Sequence, residues 1–197
     1  PHEAAKHTRG ELEGAVEELR SMAGKGPERF VAIGECGLDY FYHSDQLARD
    51  KQEFLFRLHI ELALELQLPM IFHIRDAFND FFRIVDEYEG IRGVVHSFTA
   101  HESEMRGSVD RGFMIGLNGI MTFTKDPKQL SAAQTVPLDN LVLETDAPFL
   151  TPSPFRGKVN TPKHVTYITK FLSELRGESQ ALLAEQTTKN AKKLFNL

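Results

Sequence analysis

Five short apolar runs in this chain each lead into a polar residue, and that recurrence constrains the fold more than any other feature. Phe30-Val31-Ala32-Ile33-Gly34 leads into Glu35 and then Cys36-Gly37-Leu38-Asp39-Tyr40. Met70-Ile71-Phe72 leads into His73, Val94-Val95 into His96, Met114 to Leu117 into Asn118, and Leu141 to Thr145 into Asp146. Buried parallel strands read as such runs, and the residue at the carboxyl end of each is delivered to the face where ligands gather. One Glu, two His and one Asp are thereby directed toward a common face.

Helical spacing fills the intervals. Leu12, Ala15 or Val16, Leu19 and Met22 or Ala23 recur over 10–23, and Gly24 with Gly26-Pro27 stops the run. Ser44 or Asp45 is placed to cap a long helix reaching about Leu66, with Leu47, Phe54, Leu55, Leu58, Leu62 and Leu66 on one side and Pro69 beyond it. Further helices are predicted over 77–88, 101–111, from Asp126-Pro127 onward, 163–175 and 179–195. Strands alternating with helices specify right-handed βαβ units around a parallel sheet. At 197 residues, 41% of them hydrophobic, the expectation is one domain over 1–197. The longest stretch without periodicity, 147–163, carries Pro148, Pro152, Pro154 and Pro162, and an ordered loop of that length is usually functional.

Charge and cysteine content narrow the chemistry. With 28 acidic against 23 basic residues and a net charge of -5, the chain lacks the composition of a broad basic surface. A nucleic-acid substrate would then need bound cations to supply local positive charge. The one cysteine, Cys36, excludes an internal disulfide and a cysteine-rich zinc site, so a metal must be held by His and carboxylates. No run approaches the ~18 apolar residues of a membrane span, and the N-terminus lacks a signal pattern, so a cytoplasmic protein without a membrane partner is expected.

Glu35, His73, His96 and Asp146 are the candidate ligands. A lone strand-end His is more often a hydrogen-bonded core residue. Two of them beside two strand-end carboxylates read better as a ligand set, because buried carboxylates need partners. Such a set suits zinc, manganese or, with more oxygen, magnesium, and a Glu placed between two cations can bridge them. Arg75 either binds phosphate or pairs with Asp76. Arg156 and Lys158 either contact phosphate or belong to a solvated loop. Asn118 serves local turn chemistry or a hydrogen bond to substrate, Glu144 supports a ligand, and Asp39 belongs to the turn after Glu35. His2, His7, His43, His59, His101 and His164 read as surface or helix residues, His2 lining the site mouth if its own strand is present. Cys36 reads as a packing residue.

Taken in order, Gly34-Glu35-Cys36-Gly37-Leu38-Asp39-Tyr40, His73-Ile74-Arg75-Asp76-Ala77, Val95-His96-Ser97-Phe98-Thr99 and Leu143-Glu144-Thr145-Asp146-Ala147-Pro148-Phe149-Leu150 resemble the motifs of the TatD family of metal-dependent deoxyribonucleases. Arg156-Gly157-Lys158-Val159-Asn160 and Asn190 with Leu194-Phe195 extend the resemblance. It implies an α/β TIM barrel of the metallo-dependent hydrolase type, with about five of the eight strands in this chain. It also implies two divalent metal ions (Zn, Mg or Mn), Glu35 bridging them, His73 and His96 on the second, and Asp146 at the first as activator of the attacking water. The implied substrate is DNA, cleaved from single-stranded or frayed 3′ ends. The family's His-x-His motif has no counterpart in the chain, and Pro1-His2-Glu3-Ala4 resembles the tail of the third strand-end motif. Three further strands are therefore expected upstream, or a second chain that completes the barrel; otherwise one metal site is incomplete, and open edges near 30–33 and 141–144 invite self-association. A carbon-nitrogen metallohydrolase and an inactive fragment acting as a binding module are the other readings.

Overall fold

The first strand, β1, covers Ile33–Asp39 in the computed structural model, which describes residues 1–23, 30–42 and 45–197. The apolar run at 30–33 is therefore its approach, and Glu35 lies inside the strand, a shift from the expected strand end. The chain divides into two compact units, Pro1–Val94 and Val95–Leu197.

In the first unit, α1 (Arg9–Ala23) buries Leu12 and Val16. Its start is closed by reciprocal bonds: Thr8 N donates to Glu11 Oε2 at 2.7 Å and Glu11 N to Thr8 Oγ1 at 3.3 Å. The expected stop at Gly24 to Pro27 lies outside the described residues, as does Ser44. Asp45 caps α2 (Gln46–Leu66) by accepting from Ala48 N. The inward face of α2 is Ala48, Gln52, Phe56, Ile60 and Ala63, with Leu62. That is a correction to the expected stripe, since Leu47 is 66% exposed and Phe54, Leu55, Leu58 and Leu66 are only half-buried. An aromatic cluster sets the rotation of the helix: Phe56 lies 6.0 Å from both Phe72 and Phe81, and leucines flank it instead of leading it.

Strand β2 (Met70–Arg75) pairs in parallel with β1, Ile33 opposite Met70 and Asp39 opposite Arg75, with a register shift between Gly34 and Cys36 that sets Glu35 in a bulge. Glycine is required on both sides of that carboxylate. A Cβ on Gly34 would lie 2.6 Å from Ile71 Cβ, and one on Gly37, whose φ is +137, would lie 2.3 Å from the His73 carbonyl oxygen. Helix α3 (Phe78–Val85) buries Phe81, Ile84 and Val85. Strand β3 (Gly93–Val95) closes the first unit with two residues and opens the second with its last. Strand neighbours follow chain order in each unit, β1-β2-β3 and then β3-β4-β5.

In the second unit, β4 (Met114–Leu117) pairs in parallel with β5 (Leu141–Leu143). Helix α4 (Glu102–Asp110) precedes β4, and α5 (Pro127–Thr135) follows it with Asp126 accepting from Lys128 N and Pro127 at the first helical position, as the sequence predicts. Helices α6 (Val165–Arg176) and α7 (Gln180–Phe195) bury Ile168, Leu172, Leu183 and Leu194. Asn190 Nδ2 fastens α7 to β5 by donating to the carbonyls of Leu138 at 2.8 Å and Leu141 at 2.7 Å. Among the described residues no helix is long and apolar enough to cross a membrane.

Candidate metal centre

Asp39 is the hub of the first unit. Its side chain is fully buried at the end of β1, where it must be satisfied or protonated. Oδ2 lies 2.8 Å from His2 Nε2 and 3.0 Å from His73 Nε2, while Oδ1 accepts from the backbone N–H groups of Phe41 at 3.0 Å and Tyr42 at 3.3 Å. Gln52, on the inward face of α2, locks the backbone of the same residue: Asp39 N donates to Gln52 Oε1 at 2.7 Å and Gln52 Nε2 donates to the Asp39 carbonyl at 2.9 Å. Burial alone would raise the Asp39 pKa, but the hydrogen bonds from His2, His73 and Tyr42 outweigh it and hold the carboxyl below its usual range.

An ionised carboxylate only accepts, so Nε2 of His73 carries a proton, and in the neutral imidazole Nδ1 is then the nitrogen left with a lone pair for a cation. That Nδ1 lies 3.9 Å from Glu35 Oε2, and the Glu35 side chain is half-exposed. Ligand atoms of His2, Asp39 and His73 also lie within 4.8 Å of one another, close enough to hold an ion. Their 2.8 and 3.0 Å separations are hydrogen-bond lengths, however, and Asp39 spends its other oxygen on the loop. The trio therefore reads as the support that orients His73, in the pattern by which a carboxylate fixes a ligating imidazole. Neutral imidazole nitrogen beside a half-exposed carboxylate fits a borderline divalent cation such as zinc or manganese.

In the second unit His96 follows β3 and is buried, its Nδ1 3.8 Å from Glu144 Oε1. The same Glu144 oxygen accepts from Ser97 N, and Gly116 leaves room for it, since a Cβ there would lie 3.1 Å from Glu144 Oε1. Glu144 thus supports the segment bearing His96. Asn118 is buried and its amide is used at both ends, Nδ2 donating to Ser97 Oγ at 2.8 Å and Oδ1 accepting from Ile120 N at 3.0 Å. That geometry is the turn chemistry expected of it.

Asp146 is half-buried in left-handed backbone at φ +56, and its carbonyl accepts from Phe149 N at 2.8 Å. Asn160 clamps this turn. Its Nδ2 donates to the carbonyls of Thr145 at 2.7 Å and Phe149 at 2.6 Å, while Oδ1 accepts from Thr161 N and is paired with His164 Nδ1, both at 2.9 Å. The Arg156 guanidinium stacks 3.7 Å above the Phe123 ring and donates to the Thr151 carbonyl at 2.8 Å, and Lys158 is exposed with Nζ 5.7 Å from the Phe155 ring. In the first unit Arg75 stacks 3.7 Å from the centre of the Phe41 ring.

The sequence reading missed the roles of Gln52 and Asn160, and it gave Asp39 its turn without the bonds to His2 and His73. The available signals were a carboxylate inside the apolar stretch 36–40 and an amide on the inward face of a helix, since each needs a buried partner. His164, read as a surface or helix residue, ends a short 3-10 helix (Pro162–His164) and is buried, its Nδ1 2.9 Å from Asn160 Oδ1 and its ring stacked on Phe155.

Comparison with known proteins identifies the family. A family described as TatD related DNase matches residues 1–196. A metal-dependent hydrolase of Bacillus subtilis, YabD, is 41% identical over 172 residues, covering 86% of this chain and 67% of that relative. A 3′-5′ ssDNA/RNA exonuclease TatD of a Rahnella strain is 35% identical over 204 residues, covering 100% of this chain and 74% of the relative. The chain thus spans about two thirds to three quarters of the length of these relatives. The crystal structure of the TatD homologue YjjV from Escherichia coli K12 superposes with a TM-score of 0.87 at 29% identity, covering 98% of this chain and 72% of that one. The fold is that of the amidohydrolase-like barrels, of which five parallel strands lie here, and the chain belongs to the TatD-related DNase family of metal-dependent hydrolases.

Proposed function

We propose that the chain is a metal-dependent phosphodiesterase acting on DNA, removing nucleotides from single-stranded or frayed 3′ ends. Glu35, His73, His96 and Asp146 would hold its divalent metal ions, Glu35 contributing to both. The observation that carries the reading is the Asp39–His73 hydrogen bond, which fixes the tautomer in which Nδ1 presents its lone pair on the side of Glu35. The exonuclease name of the Rahnella relative supports the substrate class.

When bound, the cations supply an activated water and neutralise the leaving oxygen. The protein's own groups do the rest. Asp146 takes up the proton of the attacking water, Asp39 keeps His73 aligned, and Glu144 holds the segment carrying His96. Arg75, Arg156 and Lys158 bind phosphate oxygens, whereas Asn118 acts through Ser97 and its turn.

A single-stranded oligonucleotide labelled at its 3′ end tests the proposal with manganese, magnesium and zinc in turn. Release of labelled mononucleotide, abolished by chelator and by Glu35→Ala, is the expected result. Failure of the metal-loaded protein to cleave with any of the three ions overturns it.

A further inference from the structure

Two consecutive aromatic side chains stand in solvent just beyond Asp39. Phe41 is 56% exposed and Tyr42 64% exposed, their rings edge to face with centres 4.9 Å apart. Exposed aromatic pairs are costly unless they meet something. These two are also held in place, because both backbone N–H groups donate to Asp39 Oδ1, the carboxylate whose other oxygen orients His73.

Arg75 completes the arrangement. It ends β2 two residues after His73, so both side chains leave the strand on the same side. Its guanidinium lies 3.7 Å from the centre of the Phe41 ring and 5.2 Å from that of Tyr42. On the opposite flank the Tyr42 ring meets the His2 ring at 5.9 Å, and His2 meets His73 at 4.9 Å. A continuous line of ring contacts thus runs from the exposed pair to a candidate metal ligand.

We propose that Phe41 and Tyr42, with Arg75 across the Phe41 face, form a stacking site for a base of single-stranded nucleic acid, deepening the nuclease reading on which it rests. A guanidinium laid on an aromatic face disfavours a purely apolar partner. It suits a ligand that alternates π-faces with phosphates, which is the chemistry of a single strand and not of a paired duplex. Stacking is indifferent to base identity, so the site would grip an end without reading its sequence.

The test is fluorescence anisotropy in chelator at low salt, with a labelled ten-residue deoxyadenylate strand and a strand of equal length made of abasic sites, alongside cleavage with manganese. Wild type should bind the base-bearing strand at least about fivefold more tightly, the lower end of the range for stacking one base. Phe41→Ala with Tyr42→Ala should abolish that preference while leaving abasic binding unchanged, and Phe41→Tyr with Tyr42→Phe should retain it. A wild type that cleaves DNA yet shows no preference, or an alanine variant that keeps it, overturns the stacking site and leaves the nuclease reading standing. Equal loss on both strands assigns the aromatics a structural role and likewise overturns the site. A wild type that neither binds nor cleaves removes both proposals.

Discussion

Asp39 accepts a hydrogen bond from His73 Nε2 at 3.0 Å, and through this contact a fully buried carboxylate decides which imidazole nitrogen faces Glu35. The same carboxylate holds the loop at Phe41 and Tyr42, and Gln52 of α2 grips its backbone. One residue therefore ties a helix, two strands and a loop to the candidate ligand His73.

Asp39→Asn is expected to weaken divalent-metal binding by about 10- to 100-fold, the usual cost of losing an outer carboxylate on a ligating imidazole. An amide offers one acceptor oxygen where four donors now share two, so either His73 or the loop loses its partner. Zinc competition titration reads the affinity, and the ¹⁵N shifts of the His73 ring read the tautomer without any activity assay. Unchanged shifts together with unchanged affinity would show that Asp39 does not position His73.

Asn160→Ala removes the amide that bonds Thr145, Phe149, Thr161 and His164. Leaving these part-buried groups and the buried His164 without partners should destabilise the chain by about 1 to 3 kcal/mol. The effect should centre on the turn bearing Asp146. Urea denaturation measures the first quantity, and amide exchange over 145–161, faster in the variant, measures the second.

Burial pushes the Cys36 thiol up to about 12, against about 8.5 for a free cysteine. The folded state therefore prefers the neutral thiol. Its contribution to stability is fully present below about pH 8.5 and is lost as pH rises toward 12, at roughly 1.4 kcal/mol per unit. Cys36→Ala should flatten this alkaline loss in urea titrations, and the native thiol should resist alkylation at pH 8.

Burial pushes the His59 imidazole down to about 4, and its Nδ1 is enclosed without a hydrogen-bond partner among the described residues. Below the unfolded value of about 6.5 the unfolded chain binds a proton that the folded chain refuses. Stability from this group is thus present above about pH 6.5 and lost as pH falls toward 4. Between pH 7 and 4.5 wild type should lose roughly 2 to 3 kcal/mol more than His59→Leu. Equal acid losses in the two proteins would show that His59 is protonated as readily folded as unfolded.

Much of the fold was legible because strand and helix periods are local. The runs at 70–72, 93–95, 114–117 and 141–143 are strands where the alternation placed them, and Asp45 and Asp126 cap the helices they precede. Orientation was less legible. The stripe assigned to α2 was wrong at Leu47, because an aromatic cluster, rather than the count of leucines, fixes which face turns inward. In the first unit, Glu35 and His73 come together as the strand pattern implies, and Asp39 makes the turn bonds expected of it, but its bonds to Gln52 and His73 were not legible because those partners lie 13 and 34 residues away.

The sequence by itself determined the alternating α/β architecture, that no disulfide forms within these 197 residues, and the kinds of ligand on offer, since each follows from residue type and spacing along the chain. Only the tertiary structure decided how Glu35 is presented, because the bulge between Gly34 and Cys36 arises from the pairing of β1 with β2. It likewise decided that Asp39 serves His73 and that Asn160 serves the Asp146 turn. Hydrogen bonds between residues far apart in the chain leave no periodic trace, and a buried polar group announces that it needs a partner without saying which.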